Sequence, residues 1–478
     1  MSDTYFIGVD SGSQSTKVAV IDQNGAVVAG ASQPLQPMIH RRAGWVEHPD
    51  DDLWDSLKLA LRQLLHAFNG DVGAIKGIGL CSIRCCRVFL NHDGSLAQPV
   101  MSWMDVRAYQ TYQDDAQIGY TGSTSGYLTF RLTGQLKDTI ANAYQYQFPT
   151  DMETWQWLDD AERFAAFNIP RAKLLEMHLP GEILGQVTED AASETGLPPG
   201  LPVVSTANDK AVEALGSGLI DADAGLLSLG TYITSMVFGS RNRPDTDHFF
   251  TNLSSVPHRY LYESNGIRGG MWHVSWFRDL IGEEFAAKAK ASGRSAEEQL
   301  EAEAIDVPAG SDGLLIAPDW LAPATQLWQK GVMIGFDQRH TRGHIYRAFM
   351  EAIAMRMNNS FTAMNAEVGS RPRRLIVCGG GSNSALFMQI VADVFGVTAV
   401  RNVVNGAAAL GAAISVAVAT GCYHSYQDAV LHMVHEKDRF AHDAADHATY
   451  TRINDGAYRD LTSLLEGTLQ AIHSAYHR

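Results

Sequence analysis

The sequence predicts an α/β fold built as two related halves that face one another across a cleft. Three observations carry this expectation. Apolar strand-like runs alternate with helix-patterned segments along the chain, the arrangement that builds sheets flanked by helices. Two strand–turn–strand units, at 6–22 and 225–238, stand about 220 residues apart, the mark of an internal duplication, although short strands also resemble one another by chance. The length of 478 residues exceeds what one hydrophobic core supports, and an apolar content of 45% is enough to fill two. The expected domains are therefore 1–222 and 223–478.

The first unit, Phe6-Ile-Gly-Val-Asp-Ser-Gly-Ser-Gln-Ser-Thr-Lys-Val-Ala-Val-Ile-Asp22, organises the first half. Ile7 and Val9 lead into a turn, and Val18, Val20 and Ile21 lead out. Gly12 supplies a backbone conformation closed to residues with a Cβ. Backbone N–H groups and the hydroxyls of Ser11, Ser13, Ser15 and Thr16 can converge on phosphate oxygens, with Lys17 adding positive charge. Asp10 ends a buried strand, where a lone carboxylate needs a cation or a donor, and a hydrated magnesium ion bridging to nucleotide phosphates satisfies it. An ordinary hairpin with a solvent-facing polar turn fits the same pattern.

Downstream, Trp54, Leu57, Leu61, Leu64, Leu65 and Phe68 recur at helical spacing, and 75–82 reads as a buried strand. Residues 99–107 read as an extended run that sets Trp103, Asp105 and Arg107 on one face. That face suits a polyhydroxylated ligand or, equally, a salt bridge beside a packed Trp. The polar segment 114–126 reads as loop. After a proline-rich break at 198–202 comes a strand at 203–207, and Asn208 then caps a helix with Asp209 in its first turn. There the carboxylate either complements the helix dipole or faces a shared cleft.

In the second half, residues 225–238 repeat the opening unit in degenerate form, with a Gly-Thr turn. The charged, alanine-rich stretch 283–304 reads as a solvated helix pair and 342–366 as a long helix. A strand beginning at Arg374 ends in Gly379, Gly380 and Gly381 and enters a helix at Ala385. Backbone can approach a ligand closely there, and the helix N-terminus favours negative charge. Ser384 stands where a dinucleotide fingerprint needs Gly, and no Walker A sequence occurs, so neither motif applies. Residues 406–420 form a small-residue helix able to pack very close to a neighbour.

The formal charge of -16 argues against nucleic acid or an anionic membrane as the main partner, since both need basic surface. Five cysteines, Cys81, Cys85, Cys86, Cys378 and Cys422, are sparse and odd in number, which fits reduced thiols in a cytosol. The first three lack a second pair at zinc-like spacing and read as buried thiols. Met1 to Tyr5 lacks a basic region followed by an apolar run, and no apolar run of ~18 residues occurs, so a cytoplasmic protein without a membrane span is expected.

Together these motifs resemble the FGGY family of carbohydrate kinases, within the actin-like and hexokinase-like ATPase superfamily. Asp10 through Thr16 is similar to the family's first phosphate motif, Leu229-Gly-Thr231 to its second, and Gly379-Gly-Gly-Ser-Asn-Ser384 with Gln389 and Asp393 to its adenosine motif. Gly44-Trp-Val-Glu47, Trp103-x-Asp-x-Arg107, Leu132-Thr-Gly134 and Gly406 through Ala413 match in the family's order, so the resemblance runs over residues 6 to 422. It implies two actin-like (ribonuclease H-like) domains, each a mixed central sheet flanked by helices, closing on ATP, Mg2+ and a small sugar or polyol. Carried over, Asp10 assists magnesium. Gly12, Ser13, Ser15, Thr16 and Lys17, with Gly230 and Thr231 across the cleft, hold the β- and γ-phosphates. Gly379, Gly380, Gly381, Asn383 and Ser384 approach the α-phosphate and adenosine. Arg84, Trp103, Asp105, Asp209 and Lys210 meet the sugar, with Asp209 aligned to the catalytic base.

The resemblance implies a cytoplasmic ATP-dependent kinase acting on a hydroxyl of a pentulose, another ketose or an alditol, with a homodimer left open. A nucleotide-dependent chaperone or sensor using the same two-domain clamp is the alternative. Three departures leave the sugar unassigned. Ser82-Ile-Arg-Cys85 replaces the Gly-Gln-Met-His of many pentulose kinases and shares only Arg84 with the Asn-Gln-Arg-Glu of glycerol kinases. Lys210 follows the base where Gln or Asn is common, and the segment between Arg107 and Leu132 is shorter than in typical members.

Overall fold

The computed structural model describes residues 4–230, 232–322 and 326–476, so Thr231, Met1 to Asp3 and the end of the chain lie outside the described residues. The opening unit folds as β1 (Tyr5–Ser11) and β2 (Ser15–Asp22), paired antiparallel with Asp10 opposite Lys17. β3 (Val27–Pro34) adds an edge strand, and α1 (Asp52–Ala67) follows it. Further along come β4 (Ile75–Ser82), α2 (Thr124–Thr133), β5 (Ile183–Gln186), β6 (Pro202–Asn208) and α3 (Asp209–Gly216). The first sheet runs β5-β6-β4-β1-β2-β3.

Alternation along β1 and β2 explains why 6–9 and 18–21 are apolar on both faces. Ile7, Val9, Val18 and Val20 face a cluster built from Leu53, Trp54, Leu57 and Leu61 of α1 with Tyr127 and Leu128 of α2. Phe6, Ala19 and Ile21 point the other way, into a second buried layer.

The second sheet contains β7 (Ala224–Leu229), β8 (Ile233–Gly239), β9 (Phe249–Leu253), β10 (Tyr260–Ser264), β11 (Arg374–Cys378), β12 (Thr398–Asn402) and β13 (Glu436–Phe440), in the order β9-β10-β8-β7-β11-β12-β13. From β10 to β13 the pairings are antiparallel, antiparallel, parallel, parallel and antiparallel. From β3 to β5 the first sheet shows the same series. Six strands paired identically in each half make the likeness of the two opening hairpins a duplication of the whole unit. The second sheet is covered by α4 (Arg342–Val368), with Phe349, Ile353 and Met357 buried, and by α5 (Ala385–Phe395).

The small-residue helix is α6 (Ala407–Ala419). Although it follows the second half's strands in sequence, it packs on the first sheet, where Leu410, Ala413, Ile414 and Ala417 close the layer holding Phe6, Ile21 and Val204. The approach is backbone to backbone: a Cβ on Gly8 would lie 1.9 Å from the Ala409 carbonyl oxygen, and one on Gly216 equally 1.9 Å from that of Ala407. The expected boundary at 222/223 thus falls between the strands of the two sheets, while residues 407–419 return to the first. Among the described residues no helix is long and apolar enough to cross a membrane.

Two local expectations are corrected. Residues 99–107 are not extended. The Asp105 N–H donates to Ser102 O at 2.8 Å to form a turn, and the Asp105 carboxylate caps a short 3-10 helix at Val106–Tyr109, so alternate positions do not share a face. The presumed loop 114–126 contains a short strand, Tyr120–Gly122, and the start of α2.

Candidate active site

Asp10 sits at the carboxyl end of β1, beside Cys81 in the parallel neighbour β4 and opposite Lys17 in β2. Burial pushes its carboxyl up to about 6; the Lys17 charge opposes the rise, and the charges of Asp209 and Glu213 add to it. Asp10 lies at the end of β1 and Asp209 follows the last residue of β6, and both strand ends pair with the end of β4, Asp10 with Cys81 and Asn208 with Ser82, so the two carboxylates stand at the same edge of the first sheet. Burial pushes the Cys81 thiol upward, and the charges of Asp10, Asp209 and Glu213 add to it.

Gly12 departs from the expected role, because it is absent from the positive-φ glycines. A Cβ there would stand 3.4 Å from Ser15 O and 3.8 Å from Asp10 Oδ1, in the space above the carboxylate. Ser13 and Ser15 are half-buried in the turn and Lys17 is exposed. The Thr16 hydroxyl instead pairs with Ser56 Oγ of α1 at 2.8 Å inside the core, so it does not face a ligand. Ser11 Oγ is buried and meets no partner among the described residues.

Asp209 opens α3. Asn208 caps the helix by accepting from the Ala211 N–H at 3.1 Å, which orients the first turn, and 29% of the Asp209 side chain remains open to the cleft. Burial raises its carboxyl, and the charges of Arg84 and Lys210 hold it down. Arg84 follows β4 and places Nε 3.9 Å from Asp209 Oδ1, while its Nη1 and Nη2 donate to Glu263 of β10 at 2.7 Å each. Lys210 Nζ donates to Glu213 Oε2 at 2.9 Å and to Ser228 Oγ of β7 at 2.8 Å. Burial opposes the Lys210 charge, but Glu213 and Asp209 outweigh it, so the ammonium keeps its proton. Two polar links, Arg84 to Glu263 and Lys210 to Ser228, thus join the halves near Asp209.

The second hairpin brings Gly230 against the glycine turn. Gly379 has φ +84, and a Cβ on it would lie 2.7 Å from the Leu229 carbonyl carbon and oxygen. Gly380 has nothing within 4 Å of a built Cβ, so its surface is open. Ser384 Oγ caps α5 by accepting from the Phe387 N–H at 3.0 Å, and Asn383 is exposed with its Oδ1 accepting from Asn405 Nδ2 at 2.9 Å. Thr231 is outside the described residues.

Of the residues expected at the sugar, Arg84, Asp209 and Lys210 come together at the seam. Trp103 is half-buried and packs against the core of the first half, its carbonyl accepting from Tyr109 O–H at 2.9 Å. Asp105 is corrected: fully buried, its carboxylate accepts from the Val46 N–H at 2.7 Å and from Arg107 Nη2 at 2.6 Å, leaving it no face toward a ligand. Sequence reasoning missed Glu263, Glu213, Ser228 and Asn405. The signal for Glu263 was an acid inside the apolar strand Tyr260-Leu-Tyr-Glu-Ser264, which requires a partner.

The residues fit a magnesium nucleotide. Among the described residues no group of three or more acids, histidines or cysteines stands ready to enclose a metal. A single buried carboxylate, Asp10, suits an ion that keeps most of its water and takes the rest of its shell from phosphates.

Two duplicated α/β halves, the carboxylates of Asp10 and Asp209 at the edge of the first sheet and a glycine turn at a helix start in the second define a two-domain phosphotransferase of the actin-like fold. Profiles of the FGGY family of carbohydrate kinases match the chain twice, the N-terminal domain at residues 5–115 and 112–216 and the C-terminal domain at 225–420. An uncharacterized sugar kinase, YgcE of Escherichia coli K12, is 45% identical over 100% of this chain and 97% of its own length. Glycerol kinase of Clavibacter michiganensis is 27% identical over 90% of this chain and 92% of its own. The crystal structure of xylulose kinase from Rhodospirillum rubrum superposes with a TM-score of 0.80 at 26% identity, covering 99% of this chain and 100% of that one. The chain belongs to the FGGY family of carbohydrate kinases.

Proposed function

We propose that this kinase transfers the γ-phosphoryl group of ATP to a hydroxyl of a small uncharged carbohydrate, a pentulose, another ketose or an alditol, in the cytoplasm. The observation that carries the reading is the placement of Asp10 and Asp209 at one sheet edge, where the ends of β1 and β6 pair with Cys81 and Ser82 at the end of β4. Asp209 accepts the proton of the acceptor hydroxyl as its oxygen bonds to phosphorus and the bridging oxygen of ADP departs. Arg84 and the Lys210 N–H, which donates to Asp209 Oδ1 at 2.9 Å, orient that carboxylate and oppose the rise that burial causes. Asp10 is the residue that would hold magnesium, which would supply charge neutralisation for the phosphates. Hydroxyls of Ser13 and Ser15 and bare backbone at Gly379 to Gly381 are available to the phosphates.

An uncharged acceptor follows from charge balance in the seam. Arg84 is matched by Glu263 and Lys210 by Glu213, so neither cation is left for the carboxylate of an acidic sugar. Relatives named glycerol kinase and xylulose kinase support the polyol and ketose classes. Family profiles over both halves disfavour a chaperone that hydrolyses ATP alone. The test is ADP release from Mg-ATP with panels of alditols, ketoses, aldoses and aldonates. Turnover confined to uncharged acceptors is expected; hydrolysis unaffected by every member, or preference for an aldonate, overturns the reading.

A further inference from the structure

We propose that Asn405 is a positioning residue that sets the glycine turn for the nucleotide, an inference that rests on the reading of residues 379–384 as the nucleotide turn. Its amide is saturated by that turn. Oδ1 accepts from the Gly379 N–H at 2.9 Å and from Ser382 Oγ at 3.1 Å, while Nδ2 donates to Gly379 O at 3.1 Å and to Asn383 Oδ1 at 2.9 Å. An Asn amide has two donors and two acceptor sites, and all four are used. The Gly379 N–H demands an acceptor and its carbonyl a donor, so only one orientation of the amide serves both.

The other end of Asn405 matters as much. Its carbonyl accepts from the Ala407 N–H at 2.9 Å, so it stands at the entrance of α6. The carbonyls of Ala407 and Ala409 lean on Gly216 of α3 and Gly8 of β1, the elements that carry Asp209 and Asp10. Asn405 therefore ties the nucleotide turn to a helix that touches both carboxylate-bearing elements. From outside, Arg401 Nη1 holds the same turn through Ser382 O at 2.8 Å and Asn383 O at 3.0 Å.

The experiment compares Asn405→Ala and Asn405→Asp with the native enzyme. In the nucleotide-free protein, amide hydrogen exchange at 379–384 is expected to speed up at least tenfold in Asn405→Ala. The Kd for Mg-ADP by calorimetry and the KM for ATP should both rise about tenfold, the equivalent of one or two lost hydrogen bonds. The KM for the acceptor should stay within about threefold of native. Asn405→Asp keeps the acceptor contacts but sets a carboxylate oxygen against Gly379 O and Asn383 Oδ1, so it should lose at least as much as Asn405→Ala. Unchanged exchange and unchanged Mg-ADP affinity in Asn405→Ala overturn the proposal, as does an equal loss for ATP and acceptor. Failure of the native protein to bind Mg-ADP instead removes the nucleotide reading of the turn, whatever exchange shows.

Discussion

Arg84 of the first half grips Glu263 of the second through two N–H···O bonds of 2.7 Å, and its remaining nitrogen, Nε, stands 3.9 Å from Asp209 Oδ1. Glu263 is wholly buried, so its charge has no water to turn to. Removing one partner of such a pair strands the other, at about 3–5 kcal/mol, whereas replacing both with apolar groups is far milder. Arg84→Met should therefore lower the melting temperature much more than Arg84→Met combined with Glu263→Leu, and both should lose activity. Equal melting temperatures in the two would show the pair to be structurally idle.

Asp209→Ala should lower kcat about a thousandfold, within the range of lost general-base catalysis, with Mg-ADP affinity held within about threefold. The acid limb of kcat/KM reports the ionisation of this carboxylate, which burial raises and Lys210 opposes. Lys210→Gln removes the opposing charge, so at a given pH less Asp209 is ionised and the limb should move to higher pH. A limb that stays put, or moves down, removes Asp209 as the titrating base.

His48 is 1% exposed, and neither ring nitrogen meets a partner among the described residues; burial pushes its pKa down to about 4. The unfolded chain takes up that proton near 6.5, so between about 6.5 and 4 the unfolded state binds more protons and stability falls as pH is lowered. Asp10 and Asp138, raised to about 6, act in the opposite sense, so the whole protein's slope is a difference. His48→Phe isolates the histidine. Its advantage over the native protein should grow by up to about 3 kcal/mol as pH drops through that window. An advantage constant with pH would contradict the assignment.

Gly216→Ala would push a methyl to 1.9 Å from the Ala407 carbonyl oxygen. The seat of α6 must shift, and about 1–3 kcal/mol of stability should go with it, together with activity, because α3 carries Asp209. Gly467 in the helix Leu461–Tyr476 has nothing within 4 Å of a built Cβ. Gly467→Ala should hold or raise stability by up to about 1 kcal/mol. Thermal melts of the two variants, with kcat measured alongside, decide it.

Where a local signal and the tertiary fold agree, the sequence was legible. Asn208 caps α3 as its side chain chemistry demands, α5 begins and ends where the glycines predict, and the small residues of α6 do pack backbone to backbone. The partners were not legible. Arg84 and Glu263 are 179 residues apart, and nothing short-range in either strand names the other. Thr16 has a ligand-like setting in sequence, but strand alternation turns its hydroxyl into the core toward Ser56. Asp105 failed for a different reason: a carboxylate two residues before an Arg serves equally well as a cap, and here the turn at Ser102 chose that use.

The return of α6 to the first sheet has a consequence for synthesis. Phe6, Ile21 and Val204 are covered by side chains from residues 410 to 433, so the amino-terminal sheet leaves the ribosome with one apolar face bare. That face stays uncovered until nearly the whole chain has emerged, which makes this stretch of translation the interval when chaperone capture or aggregation competes with folding.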